Sequence, residues 1–234
     1  MKREVIIALD FRDKCEVNDF LDKFQDREVY TKVGMELFYS EGIQIIKEIK
    51  SRGHKIFLDL KLHDIPNTVK SAMRILGNMN IDMVNLHCAG GMEMMRAGLE
   101  GVAESLNDGK GVKIIGVTML TSTSQERMRD EIGISGDIDE IVLKYAKNAK
   151  TAGLSGVVCS PLEAAMVKRE LGDAFIVVTP GIRFDSEDSD DQRRFTTPAA
   201  ARETGADFIV VGRPVIRADN PIEAYRKCVD DFAY

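Results

Sequence analysis

No stretch of eighteen or more uncharged apolar residues occurs anywhere in the 234 residues, so no membrane-spanning helix is expected. The N-terminal MKREVIIALDF holds only a short apolar run broken by Asp10, which does not read as a secretion signal and points to the cytoplasm. Cysteine clustering is also missing. Cys15, Cys88, Cys159 and Cys228 lie far apart, with neither a C-x-x-C pair nor a Cys/His cluster, so they read as free thiols of a reducing compartment rather than zinc ligands. Positive charge is in deficit: 32 Lys and Arg against 38 Asp and Glu give a net charge of -6. That balance argues against a nucleic-acid or anionic-membrane surface and leaves room only for a local basic pocket that takes a small anion. No glycine-rich dinucleotide turn follows the first apolar run, where ALDFRDK stands, and no low-complexity linker divides the chain. Neither a metal nor a cofactor is expected.

Hydrophobic residues make up 44% and charged residues 30%, a balance that supports a buried core rather than disorder. Short β-branched apolar runs recur: VIIALD (5–10), VYTKVG (29–34), KIFLDL (55–60), MVNLHC (83–88), KIIGVTML (113–120), GVVCS (156–160), FIVVTP (175–180) and FIVVG (208–212). Helical segments alternate with them, among them EGIQIIKEIKSRG, stopped by Gly53, and PLEAAMVKRELG, opened by Pro161 and stopped by Gly172. Eight such units without a composition break predict a single (β/α)8 barrel domain over 1–234, the TIM-barrel form of the α/β class. A doubly wound open sheet is the structural alternative.

In such a barrel the site is built at the C-terminal ends of the strands. Those ends carry Asp10, Lys32, Asp59 and Lys61, Asn85 and His87, Thr121 and Ser122, Arg183, and Gly212 with Arg213. In FLDLKLHDIPNTV, alternation along the strand sends Leu58, Leu60 and Leu62 toward the outer helices and Asp59 and Lys61 into the barrel mouth. An isolated ion there is costly, so charges of opposite sign must interleave, and Lys32 and Asp64 are suitable partners. A carboxylate beside a substrate anion repels it, while an ammonium at the same carbon stabilises developing negative charge and can then donate a proton. The set suits loss of CO2 with replacement by a proton. A Schiff-base lysine of an aldolase is the other use of such a residue, but flanking carboxylates favour the charged ammonium over the neutral amine. Gly212 and Arg213 read as a phosphate site: close backbone approach at the glycine, a forked guanidinium beside it. RFDSEDSDDQRRF, 183–195, reads as a mobile loop over the mouth with Arg183 and Gln192 as candidate ligand contacts. His63 and His87 read as hydrogen-bonding residues within the barrel rather than general bases, and Met92, Met94 and Met95 as packing residues of a helix.

With IIALDF, KVGMELFY, FLDLKLHDIPNTV, VNLHCAGG, LTSTS, GVVCSP, VTPGIR, DDQRR, TPAAA and IVVGR in this order, the chain resembles the orotidine 5'-phosphate decarboxylase family over nearly its whole length. The resemblance implies a cofactor-free barrel homodimer that converts orotidine 5'-phosphate to uridine 5'-phosphate (UMP) and CO2, the last step of de novo pyrimidine synthesis. By position it implies that Lys61 stabilises and protonates the C6 carbanion, that Asp59 faces the departing carboxylate, and that Lys32 and Asp64 complete the network. It further implies that Asp64, Ile65 and Thr68 serve the partner's site, that Asp10 and Lys32 contact the ribose, and that Thr121 or Ser122 contacts the pyrimidine. Arg183, Gln192, Gly212 and Arg213 then fall on the pyrimidine-to-phosphate side. A related Asp-x-Lys-x-x-Asp barrel acting on a keto-sugar phosphate with magnesium is the rival enzyme, and PGIR, DDQ and LTST speak against it. A catalytically silent phosphate-ligand binder is the rival from another class, and it would be expected to lose Lys61 or a flanking aspartate.

Overall fold

Each apolar run is followed by chain enough to return along the outside, so consecutive strands can lie parallel. In the computed structural model, which describes residues 3–105, 111–184 and 196–234, they do. Strands β1 (Glu4–Ala8), β2 (Tyr30–Gly34), β3 (Lys55–Leu62), β4 (Met83–His87), β5 (Lys113–Val117), β6 (Gly156–Val158), β7 (Ile176–Thr179) and β8 (Phe208–Val211) pair in chain order, and β8 closes on β1 through Ile6 and Val210. The predicted barrel is therefore found, with its strands shorter than the apolar runs except β3, which extends past KIFLDL to Leu62. In β5 the run to Leu120 stops pairing after Val117, and the Thr118 N–H and hydroxyl both bond to the Val158 carbonyl, which peels the following residues toward the mouth.

Alternation divides the strand residues between two apolar layers. Ile6 and Ala8 of β1, Tyr30 of β2, Phe57 of β3, Met83 of β4 and Ile115 of β5 fill the barrel, while Val5, Ile7, Ile56, Leu58 and Val84 meet the helices. Burying a side chain as large as Phe57 contributes about 1.5–3 kcal/mol. Leu58, Leu60 and Leu62 all join the outer layer, as the alternation of FLDLKL requires.

The helices follow their boundary residues. α1 (Lys14–Leu21) is capped by Asp13, whose carboxylate accepts from the Cys15 and Glu16 N–H groups. The helix read from Glu41 begins instead at Ile43, because Gly42, φ +63°, separates α2 (Met35–Glu41) from α3 (Ile43–Ser51). α4 (Pro66–Gly77) and α5 (Gly91–Ala103) pack closely because Gly98 and Gly101 face α4 and the strand beneath; a Cβ on Gly101 would lie 2.2 Å from the Lys70 carbonyl oxygen. α6 (Gln125–Asp130) and α7 (Ile138–Ala152) follow β5. α8 (Pro161–Leu171) opens with a capping box between Ser160 and Glu163 and ends at Gly172, matching the predicted bounds. α9 (Pro198–Glu203), α10 (Arg213–Ile216) and α11 (Pro221–Ala233) complete the outer layer. Met94 and Met95 pack in that layer, whereas Met92 remains 37% exposed. Cys15 is exposed and Cys88, Cys159 and Cys228 are buried, all as free thiols. Among the described residues no helix is long and apolar enough to cross a membrane.

Candidate active site

Because parallel strands end at one rim, residues distant in sequence converge there. The side chains of Asp10, Lys32, Asp59 and Lys61 form a line of alternating charge. Lys32 Nζ stands 3.1 Å from Asp10 Oδ1 and 3.6 Å from Asp59 Oδ2, and Lys61 Nζ lies 2.7 Å from Asp59 Oδ1. Asn85, placed one pleat above Met83 on the inward face of β4, donates from Nδ2 to Asp59 Oδ1 at 2.7 Å. Asp59 is 8% exposed. Burial alone would raise its carboxyl, but the Lys32 and Lys61 ammonium groups, with hydrogen bonds from Lys61 and Asn85, together hold it below the usual carboxylate range. Asp59 is thus an anion inside the barrel, kept charged by two cations.

Lys61 reaches this place through an irregular backbone. The register runs from Leu58 opposite Val84 to Leu62 opposite Leu86, so β3 passes through Asp59, Leu60 and Lys61 while β4 advances only by Asn85. Two extra residues preserve the inward–outward alternation, which is why Leu62 still faces outward. Lys61 takes a left-handed backbone, φ +52°, at a conformational cost of about 1–3 kcal/mol for a residue with a Cβ. Its N–H donates to Asn85 Oδ1 at 2.8 Å.

The array forms one wall of a cleft of about 270 Å³. Ala8, Phe57, Val117, Val158 and Val210 give it an apolar floor, and Arg183, Gly212 and Arg213 stand at the β7–β8 side with Pro180 and Gly181. Met119, Leu120 and Thr121 line the β5 side. Arg183 is buried and donates from Nη1 to the Ile182 carbonyl, while its N–H bonds to Thr196. A Cβ at Gly212 would lie 3.3 Å from Asp10 Oδ2, so the absent side chain keeps the β8 end open beside β1. An apolar floor with anchoring cations at one end and an Asp–Lys array at the other suits a flat ring carrying an anionic arm.

Most sequence-predicted residues meet in this cleft: Asp10, Lys32, Asp59, Lys61, Thr121, Arg183, Gly212 and Arg213. Ser122 is exposed and does not line it, so the structure separates the two members of that pair. Asp64, Ile65 and Thr68 are exposed and lie off the cleft wall, with Asp64 Oδ1 accepting from the Ile65 N–H at 2.7 Å. The expected contact of Asp64 with the lysines is therefore not made within one chain. Gln192 and the loop to Phe195 lie outside the described residues from 185 onward. His63, expected inside the barrel, is exposed at the rim with its ring tilted against His87 at 5.5 Å. Asn85 stands among the strand-end residues of the sequence but is given no role there. Its trace in the sequence is the inward face Met83, Asn85, His87, where an amide stands in an apolar layer.

The fold and the cleft together define a (β/α)8-barrel enzyme that works at the strand C-termini on an anionic ligand. The profile of the Orotidine 5'-phosphate decarboxylase / HUMPS family matches residues 3–228. An orotidine 5'-phosphate decarboxylase of Bacillus cytotoxicus is 56% identical over 227 residues, 97% of this chain and 95% of that protein. One from Bacillus cereus is 55% identical over the same shares of both chains. Among solved structures, the orotidine 5'-phosphate decarboxylase of Lactobacillus acidophilus superposes with a TM-score of 0.88 at 40% identity, covering 99% of this chain and 100% of that one. An uncharacterized conserved protein from Geobacillus kaustophilus gives 0.85 at 43% identity over 97% of this chain and 99% of its own. The chain belongs to the orotidine 5'-phosphate decarboxylase / HUMPS family.

Proposed function

We propose that this barrel, acting as a single domain, converts orotidine 5'-phosphate to UMP and CO2 in the pyrimidine pathway, with protein groups alone. The observation that carries the reading is the Asp10–Lys32–Asp59–Lys61 line facing Arg183 and Arg213 across an apolar floor. The phosphate binds at Gly212 and Arg213, where a guanidinium fork and open backbone suit its oxygens, with Gln192 and Arg183 completing that side. The ribose lies against Asp10 and Lys32, and the pyrimidine edge against Thr121, the member of the Thr121/Ser122 pair on the cleft wall.

Binding in that pose brings the substrate carboxylate toward Asp59, an anion held charged by its lysines. Repulsion between the two is relieved as the C6–carboxylate bond breaks. CO2 leaves, the electron pair stays on C6, and the Lys61 ammonium stabilises that pair and transfers one proton to it. The amine left on Lys61 regains its proton from solvent. The pair lies in an orbital that the ring cannot delocalise, so preorganised charge must supply much of the barrier reduction, which for enzymes spans about 8–23 kcal/mol. Binding of the distant phosphate contributes by positioning the reacting carbon.

The working assembly is a homodimer in the cytoplasm, with Asp64, Ile65 and Thr68 supplied to the partner's cleft. Two features support this. Ile65, just past the end of β3, is 68% exposed, a large apolar side chain left at the surface. A second cavity, lined by Phe11, Met35 and Glu36, opens onto the same Asp10, Lys32, Asp59 and Lys61 side chains. Against the magnesium-dependent keto-sugar phosphate reading stands the occupation of Asp59: one oxygen faces Lys32, the other Lys61 and Asn85. Spectrophotometric turnover of orotidine 5'-phosphate, measured with and without chelator, tests the function. Equal turnover in both is expected; no turnover, or turnover lost to the chelator, refutes it.

A further inference from the structure

Asn85 is 1% exposed, and its amide bridges the backbone of Lys61 and the carboxylate of Asp59, the two residues that the proposed reaction needs in place. Oδ1 accepts the Lys61 N–H at 2.8 Å, and Nδ2 donates to Asp59 Oδ1 at 2.7 Å. The amide orientation follows from its partners: reversed, it would set N–H against N–H and carbonyl against carboxylate. The register explains why a side chain does this work. Where β3 bulges, one β4 residue faces three on β3, and the Lys61 N–H bonds to the Asn85 side chain. An aliphatic residue at 85 would leave that N–H without this partner at a strand position whose backbone is left-handed.

We propose that Asn85 is a positioning residue of the decarboxylation: it clamps the β3 bulge so that the Lys61 ammonium and the Asp59 carboxylate are aimed at the same carbon. Asn85 acts through those two side chains. The geometry also discriminates among replacements. Asparagine alone among residues of this shape offers an acceptor to Lys61 and a donor to Asp59. Asn85→Asp keeps the first bond and sets a second carboxylate against Asp59, which is also faced by Lys32 from β2 and Lys61 from β3, with Asp10 beyond Lys32 and His87 farther along β4.

The inference rests on the assignment of Lys61 as proton donor, so Lys61→Ala is measured beside Asn85→Ala and Asn85→Asp. Steady-state kinetics, pH profiles and UMP affinity are read on each dimer after circular dichroism. For Asn85→Ala, kcat falls about 100-fold, the scale of a small misplacement of reacting groups, while affinity for UMP stays within about threefold. For Asn85→Asp, the acid limb of kcat/KM moves up by about one pH unit or more as two carboxylates compete for the same cations. A residue that merely fills space would leave kcat and the acid limb unchanged in every folded variant. If Asn85→Ala does not fold, the isosteric Asn85→Asp decides: kcat within about twofold of the native enzyme and an unmoved acid limb overturn the proposal. Activity retained in Lys61→Ala refutes the assignment of Lys61 itself. An inactive Lys61→Ala with native-like Asn85 variants refutes only the role of Asn85.

Discussion

Asp59 and Lys61, two residues apart on one strand, join their side chains at 2.7 Å, with the intervening Leu60 turned outward into the helical layer. A regular strand would carry both side chains inward in parallel. The bulge and the left-handed backbone at Lys61 bring them to one point, and Lys32 and Asn85 hold the carboxylate from either side.

In the proposed reaction, removing the Lys61 ammonium would remove both a positive charge beside C6 and the proton that replaces CO2. Lost charge stabilisation is expected to lower the rate about 10²–10³-fold, and loss of the acid about 10²–10⁴-fold. Lys61→Ala should therefore lower kcat by at least about 10⁴-fold while UMP still binds, as measured by turnover and by titration calorimetry. Near-native turnover would end this account of the chemistry.

Because Asp64 makes no ion pair with the described residues of its own chain and is exposed, its contribution is expected across the proposed dimer. Lys61→Ala and Asp64→Ala, each inactive alone, should regain activity when mixed, since each hybrid dimer holds one intact site. Proven subunit exchange without recovered turnover would place Asp64 elsewhere.

Arg213 opens α10 at the β8 rim of the cleft. A charged hydrogen bond to phosphate contributes about 1.5–3 kcal/mol, so Arg213→Ala should raise KM roughly ten- to 150-fold. Orotidine lacking the phosphate should be indifferent to the substitution. Equal losses on both substrates would contradict a phosphate role.

The α4–α5 contact leaves no space at Gly101, and Gly101→Ala would drive a methyl group against the Lys70 carbonyl. Overpacking of this kind costs about 1–3 kcal/mol, read as a lower denaturation midpoint in urea with an unchanged slope. An unaltered midpoint would show that the helices separate freely.

His54, 2% exposed, accepts the Val29 N–H on Nδ1, and burial followed by the nearby Arg52 lowers its pKa, with Glu28 opposing. The unfolded chain therefore binds the proton more readily, so this group lends its full contribution above about pH 6.5, and that contribution diminishes as pH falls below it. His87 is lowered in the same sense by burial, His63 and Lys61, against Asp59. His54→Gln should flatten the stability profile on the acid side of about pH 6.5, measured by urea unfolding across that range. Asp59 acts later: with its carboxyl held low, its contribution is lost only as pH drops below the ordinary carboxylate value.

The barrel was legible because each strand run is β-branched, short and followed by a helical segment with its own stop residue, as in Ser160 to Gly172. Phe57 and Asp59 inward, Leu58 and Leu60 outward, also follow from local geometry, since a pleat alternates whatever surrounds it. The charged positions could be read for the same reason: strand ends in a closed parallel barrel share one rim. Composition and spacing alone thus determined the fold class and most of the cleft's polar wall. Tertiary structure decided the rest. Only the register of β3 against β4 shows that three residues face one, that Lys61 turns left-handed, and that the amide of Asn85 closes the gap. Only the peeling of the chain after Val117 separates Thr121 from Ser122, and only the rim geometry turns Asp64 away from the lysines of its own chain. Such features arise from pairing between residues far apart in sequence, and no periodicity within one strand encodes what its neighbour lacks.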